Sequence, residues 1–552
     1  MIWKTLGTCK STAPTAMNSI KFGHKPTGYL TAFLLIVIAG LFLQKNYMDE
    51  YPTHIHAWAE QDHYALAIGF INNGFDFFHP ETMIYNKQFP GWWKEAYDNT
   101  ITSVDFPIHE YTVALLMKLL GTTSPWVFRL WTLLWGFLGL FFLYKVAYQI
   151  SQNLLKSALV TTIALTSPVY AYYLNGFLPS IPALSLGTIG LWFYLHYYES
   201  NQRKQFHLCI AFLTMAMLMR TTFAIEFIAI LCFELLRIFR RESTFLDKLP
   251  CVLISATLFL AYFLWNKHLR TLYGTIFLNE LLPPEDWQDA KELIADTYHK
   301  WTFQYFQKLQ YLVFLLIAVS AIVTNFFQTI RKKKEKHNTP QKQPLSLWWL
   351  ALIEIFGCLL FSVAMMQQLP FHDYYLIDTF FLPILLLTIL TLKALPSNKE
   401  THSFEWGDFL IGIVCAIMVF QATETQVERR DMENAALISY RNYKDADVLM
   451  DSLKISRDAK ILCLYGYAQN GPFLQMKRKG YTVMTDEEDL LETAFTWDFD
   501  YIVIENEKFM IYFKDRNVLL SRLKRIGGND YLSICTPDNN WIYQEWWQLV
   551  YH

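Results

Sequence analysis

Trp126–Tyr144 reads WVFRLWTLLWGFLGLFFLY. This apolar and aromatic run has the length of a bilayer span, which needs about 20 mostly apolar residues. Similar runs recur on both sides of it: Tyr29–Leu43, Ser157–Leu174, Ile181–Tyr197, Phe206–Met219, Phe223–Phe239, Pro250–Trp265, Leu309–Phe327, Leu345–Met366, Ile377–Leu392 and Phe404–Phe420. Together they predict a polytopic α-helical membrane protein with about eleven transmembrane helices. Composition agrees, since 53% of the 552 residues are hydrophobic and 17% charged, against roughly 25% charged in soluble domains. With a net charge of -2, no nucleic-acid partner is expected.

Lys and Arg concentrate in cytoplasmic loops. The N-terminus carries Lys4, Lys10, Lys21 and Lys25, and alternate loops carry Lys145/Lys156, Arg203/Lys204, Arg237/Arg240/Arg241, Arg331–Lys336 and Lys393/Lys399. Residues 1–28 are therefore expected to be cytoplasmic, 29–421 to form the membrane domain, and 422–552 to form an external domain. Tyr29–Leu43 lacks a following small-residue cleavage site and reads as a signal anchor. The expected location is the inner membrane of a bacterium.

The first external loop, residues 44–124, is the most informative polar region. Trp58–Phe70 and Pro107–Leu120 read as amphipathic helices lying at the interface. In the tail, Lys460–Tyr465 and Tyr501–Glu505 read as buried strands, with a helix at Pro472–Lys479 and a strand at Tyr481–Met484 between them. That alternation predicts a small α/β domain. No P-loop or G-x-G-x-x-G follows those strands, so nucleotide binding has no support. The eight cysteines include no CxxC pair; Cys463 and Cys535 could pair, but spacing alone does not decide it.

Several side chains could carry chemistry. Glu60 and Asp62 stand two apart, so on a helix only one of them faces a given site. Asp62 is a candidate general base, or simply a solvated acid. Asp105 precedes Phe106-Pro107 and is either a helix N-terminal charge or a second acid of an acceptor site. Arg220 interrupts two apolar runs in MRTT, where a charge is costly and usually faces a cavity; its planar fork suits a phosphate. His372, Tyr374 and Tyr375 lie in a short external loop, and Arg270 with Lys267 follows a later span; these are further phosphate- or sugar-contact candidates. Glu226 and Glu354 lie inside apolar runs with no readable role. His54, His56, His63 and Glu60 match no zinc spacing, so no metal is assigned, although a divalent ion held by carboxylates and a phosphate stays open.

The arrangement resembles the GT-C membrane glycosyltransferases, the group that includes protein O-mannosyltransferases and the lipid A aminoarabinose transferase. It looks most like the bacterial members with a W-x-x-x-D-x-x-x-x-A motif after the first helix, here Trp58, Asp62 and Ala67, continuing through Asn73-Gly74-Phe75 and Phe78-His79-Pro80. Asp105-Phe106-Pro107, Gly121, Arg129 and the His372–Tyr375 loop resemble later family features. Many relatives carry an adjacent Asp-Glu pair, whereas here His63 follows Asp62, so Glu60 or Asp62 can hold the acid's place. The resemblance covers about the first 150 residues well and the rest by topology.

The resemblance implies a polyprenyl-phosphate-linked sugar as donor and inverting attack at its anomeric carbon. The acceptor would be a glycan, a lipid or a protein. Asp62 or Glu60 would be the base and Asp105 would position the acceptor, with Arg220, His372 and Tyr375 stabilising the departing phosphate. A glycan polymerase or ligase would favour arginine-rich external loops. A lipid-linked sugar flippase or other transporter would favour matched halves with broken helices. A scaffold binding a partner through its tail is a third alternative.

Overall fold

The structure is a computed structural model that describes residues 26–88, 98–278, 280–334, 344–395, 406–431, 434–484, 488–512 and 523–537. The expected N-terminal segment lies mostly outside them. The chain begins with α1 (Pro26–Gln44), then crosses the first long loop through α2 (Ala57–Asn72) and α3 (Ile108–Leu120). The helical domain continues as α4 (Pro125–Ser151), α5 (Leu154–Thr166), α6 (Pro168–Tyr173), α7 (Ser180–Ser200), α8 (Arg203–Met219), α9 (Ala224–Phe239) and α10 (Leu249–Tyr273). After α11 (Trp287–Tyr305) come α12 (Lys308–Lys334), α13 (Trp348–Ala364), α14 (Tyr375–Asp378), α15 (Phe381–Ala394) and α16 (Trp406–Asp431).

Among the described residues, five helices are long and apolar enough to cross a membrane: Gly28–Tyr47, Pro125–Ser151, Leu249–Tyr273, Lys308–Gln328 and Phe409–Arg430. Leu154–Thr166, Trp348–Ala364 and Phe381–Ala394 are shorter apolar helices. The protein is an integral membrane protein. The helices pack around a core that joins Leu133, Phe137, Tyr170, Tyr173, Phe233 and Phe381. By contrast, α10 keeps Leu253, Ile254, Leu258, Phe263 and Leu264 exposed, an apolar surface suited to lipid tails.

Local sequence sets several helix ends. Pro125 occupies the first turn of α4 after Ser124, where its missing N–H costs nothing. Ser167 ends α5 and accepts from Tyr170 N to start α6. Gly121 closes α3 at φ 66°, a left-handed position that glycine adopts without a Cβ penalty.

The tail forms α17 (Ala435–Asn442), α18 (Ala446–Ser452), β1 (Ile461–Leu464), α19 (Gly471–Met476), β2 (Gly480–Val483), α20 (Glu488–Ala494), β3 (Tyr501–Glu505), α21 (Asn506–Tyr512), β4 (Leu523–Gly528) and β5 (Leu532–Pro537). The sheet order is β2-β1-β3-β5-β4, with β1 parallel to β2 and β3, and β5 antiparallel to β3. Cys463 on β1 and Cys535 on β5 are both free thiols, kept apart by β3.

The tail and the first loop share one core, in which Tyr64, Met83 and Val113 pack with Ile461, Phe473 and Met476. Residues 83–85 extend the β2 edge: Gly480 N donates to Met83 O at 3.1 Å and Tyr85 N to Gly480 O at 2.9 Å. This cover explains a difference from the sequence reading of α2. The helix does not lie open at an interface, because Glu60 to Ala67, Gly69 and Phe70 are all buried. α3 keeps an apolar outer face, with Leu115, Leu119 and Leu120 exposed.

The tightest contact of α2 is at Gly69, where a Cβ would sit 1.8 Å from the Glu81 carbonyl oxygen. Because that obstacle is backbone, Gly69→Ala must displace the loop, and overpacking of this kind costs about 1–3 kcal/mol. The expected result is a clearly lower melting temperature; an unchanged one would mean that the 81–84 segment moves away freely.

Candidate active site

The break in MRTT becomes an extended Arg220 (φ -145°) between α8 and a single 3-10 turn, Thr221–Phe223. That turn meets the segment before α3. Phe106 N donates to Leu218 O at 3.0 Å, and Tyr262 of α10 donates its hydroxyl to Val104 O at 3.1 Å. Asp105 is thereby fixed against Thr221, which donates its hydroxyl to Oδ1 at 2.7 Å and its N–H to Oδ2 at 3.3 Å. Burial lifts the Asp105 carboxyl above its ordinary range, while Arg220 and Thr221 pull it back. Asp105 remains partly open to solvent.

Arg220 is aimed by a second acid. Its Nε donates to Asp378 Oδ2 at 2.7 Å, and its guanidinium lies 5.3 Å from the Tyr374 ring centroid. Asp378 is 158 residues away and buried. The sequence reading did not single it out. An acid at the start of the Ile377–Leu392 run was the available signal, because a charge there needs a partner.

The His372–Tyr375 loop joins this centre. The His372 ring stacks on His56 at 5.5 Å and 22° and lies 5.3 and 5.6 Å from the Tyr374 and Tyr375 rings. Burial lowers His372 to about 4, so the ring is neutral near pH 7. Its Nδ1 lies 3.1 Å from the Gln368 carbonyl oxygen, which can only accept. Nδ1 therefore carries the hydrogen and Nε2 is the acceptor. Such a ring suits a sugar hydroxyl better than a phosphate oxygen. Behind it, Asp373 receives Arg429 and Tyr173 and lies 3.0 Å from His56 Nε2. Despite the opposing effect of burial, Arg429 and His56 hold its carboxyl well below the usual range. Arg429 sits near the end of α16, and its pairing with Asp373 ties the membrane domain to this loop.

The other candidates have other partners. Asp62 is 4% exposed and accepts from Asn470 Nδ2 at 2.7 Å, across the seam with the tail. Burial raises it to about 8, opposed by Asn470 and Trp58. Glu60 is 2% exposed; it accepts from Phe177 N at 3.3 Å and is raised by burial against the pull of Arg129. The two acids of α2 thus diverge, as their spacing requires, and both are sealed from solvent. Arg270 pairs with exposed Glu280 at 2.9 Å. Among the described residues, no three His, Cys, Asp or Glu side chains gather as metal ligands.

Residues 105–266, which include Asp105, Arg220 and Tyr262, match the family model described as dolichyl-phosphate-mannose-protein mannosyltransferase. Over that segment, less than a third of its length, the chain is similar to this mannosyltransferase family. The fold of the chain is similar to that of ArnT from Cupriavidus metallidurans, in one structure bound to undecaprenyl phosphate and in another in the apo state. Each superposes with a TM-score of 0.55 at 11% identity, over 93% of this chain and 98% of that one. The arabinofuranosyltransferase AftD from Mycobacteria superposes with a TM-score of 0.50 at 11% identity, over 94% of this chain and 40% of that one. No curated protein sequence matches the chain.

Proposed function

We propose that this protein moves a sugar from a polyprenyl-phosphate donor to a hydroxyl of a glycan, lipid or protein acceptor, inverting the anomeric centre. The observation that carries the reading is the partly open Asp105 carboxylate beside Arg220, the only juxtaposition of a reachable acid with a built cation among the candidate residues described above. In the reaction the acceptor oxygen bonds to the anomeric carbon as the bond from that carbon to the phosphate oxygen breaks. The electron pair leaves with the phosphate, and the acceptor proton passes to Asp105. Arg220, steadied by Asp378, offers its remaining N–H groups to the phosphate, and Tyr374 and Tyr375 add hydroxyls. His372 accepts from a sugar hydroxyl through Nε2. Asp62 and Glu60, the acids implied by family resemblance, serve here as buried supports of α2. The similarity to ArnT supports a polyprenyl-phosphate donor, since one of its structures holds undecaprenyl phosphate.

In this reading about eleven spans cross the inner membrane with a cytoplasmic N-terminus, as the Lys and Arg distribution favours. Residues 29–421 serve as the membrane domain and 422–552 as the external one. The site lies at the same end of the helices as the tail, which supports chemistry on the external face.

The test is turnover by the purified, nanodisc-embedded protein of undecaprenyl-phosphate-linked glucose, mannose, galactose and arabinose. Release of undecaprenyl phosphate is followed together with the configuration of the new glycoside. One donor consumed with inversion is expected. Consumption of a nucleotide sugar instead, or movement of the lipid-linked sugar across the bilayer without cleavage, would overturn the proposal.

A further inference from the structure

The seam between the first loop and the tail holds a shallow cleft that the transfer reaction leaves unused. Tyr51 and Gln61 line it from the loop side, and Tyr440, Tyr467, Gly471 and Gln475 from the tail. Its place follows from the sheet. β1 lies between β2 and β3 and is parallel to both, so the chain leaves it to one side for β2 and crosses to the other for β3. In open α/β sheets such a switch point opens a ligand crevice beyond the carboxyl ends of the strands. Tyr467 and Gly471 belong to the stretch that leaves β1 at that end. Tyr51 and Tyr440 stack across the seam at 4.9 Å and 17°, which fixes both rings. Tyr467 is 37% exposed and Gln475 half-buried at the mouth. Among the described residues, no charged side chain lines the cleft. Its floor carries an unpartnered acceptor. Gln61 is 3% exposed and donates from Nε2 to Pro52 O at 2.8 Å, while its Oε1 receives no hydrogen bond. That oxygen faces Gly471, where a Cβ would stand 2.4 Å from it.

We propose that this cleft is a subsite for an uncharged sugar ring of a glycan acceptor. An uncharged lining gives a phosphate, a carboxylate or a metal ion nothing to replace its water. A buried amide oxygen without a partner is costly and calls for an O–H or N–H donor. Fixed tyrosine rings offer apolar faces with hydroxyl rims, which match the C–H face and hydroxyl edge of a pyranose. The cleft also lies near the candidate active site along α2. His56, the residue that caps this helix, stacks on His372 at 5.5 Å, and Gln61 follows five residues later, about 7.5 Å along the axis. A glycan whose end reaches the site therefore has its preceding rings within range of the cleft. Binding there is non-covalent and leaves the reacting atoms to Asp105 and Arg220. The inference rests on the glycosyl-transfer reading for its claim that the bound glycan is the acceptor.

The experiment titrates the nanodisc-embedded full chain with maltotriose, mannotriose, galactotriose and N-acetylchitotriose, following binding by calorimetry and saturation-transfer NMR. Oligogalacturonate serves as an anionic control and an oligoproline peptide as the other ligand that aromatic clefts accept. At least one neutral trisaccharide is expected to bind. Tyr467→Ala, which removes an exposed ring, and Gln61→Met, which keeps the side-chain length without the amide oxygen, should each weaken it about tenfold. Asp105→Asn should bind it as wild type does. No binding of any neutral trisaccharide would overturn the inference, as would an affinity that either cleft variant leaves unchanged, or binding of oligogalacturonate or oligoproline alone. The two levels separate cleanly. If lipid-linked sugar turns over while no neutral glycan binds, the subsite alone falls. If a neutral glycan binds at the cleft while no lipid-linked sugar is consumed, the transfer reading falls and the sugar site stands.

Discussion

Asp105→Asn lowers kcat for sugar transfer by about 10²–10⁴-fold, the usual contribution of a positioned general base, while undecaprenyl phosphate still binds. Asparagine keeps the shape of the carboxylate and can still accept the Thr221 hydroxyl at the position now 2.7 Å from Oδ1, so the 104–107 segment stays docked on the Thr221 turn. It has no basic oxygen for the acceptor's proton. Arg220 is fixed independently through Asp378, so the phosphate loses no partner. The same assay applied to Glu60→Gln and Asp62→Asn decides between the acids: both should retain most activity, because each is sealed inside the protein. A wild-type rate for Asp105→Asn, or a comparable loss in Asp62→Asn alone, would move the base to α2.

Asp62→Asn raises thermal stability, and more so at alkaline pH. Burial lifts Asp62 to about 8 from an ordinary 3.8, so the folded protein keeps a proton that the unfolded chain surrenders. The stabilising preference for this protonated acid is fully present below about pH 4. It is lost progressively as pH rises toward 8, since the unfolded state binds fewer protons throughout that window. Each unit of such a shift corresponds to about 1.4 kcal/mol, so the wild-type seam is weakened by several kcal/mol at most by pH 8. Asparagine removes the titration and can still accept from Asn470. Melting curves at pH 5 and pH 8 should therefore differ less in Asp62→Asn than in wild type, with the variant melting a few degrees higher at pH 8. Equal destabilisation at both pH values would show that the carboxylate form is the one the seam needs.

Much of the molecule was legible before any coordinates. Long apolar runs announce helices that bury their own backbone polar groups in lipid, and alternating loop charge gives a consistent set of sides. The i, i+2 spacing of Glu60 and Asp62 already required them to diverge. The strands KILCLY and YIVIE were readable as continuous apolar runs, the mark of strands covered on both faces. β4 and β5 were not, because LKRIGG and LSICTP carry little alternation.

The candidate site was legible as residue types and not as a constellation. Asp105, Arg220 and the His372–Tyr375 loop stood out singly, each as a polar residue in a costly place. Their partners did not. Asp378 reaches Arg220 across 158 residues, Arg429 reaches Asp373 across 56, and Asn470 reaches Asp62 across 408. Hydrophobic periodicity is a local property that a short window encodes, so the sequence by itself determined a helical membrane protein with a polar loop and an α/β tail. Which acid stays open, which arginine is braced, and that the tail seals α2 depend on packing between distant segments. Only the tertiary structure decided those, since the cost of burying a charge or leaving it unpaired exists only once its neighbours are in place.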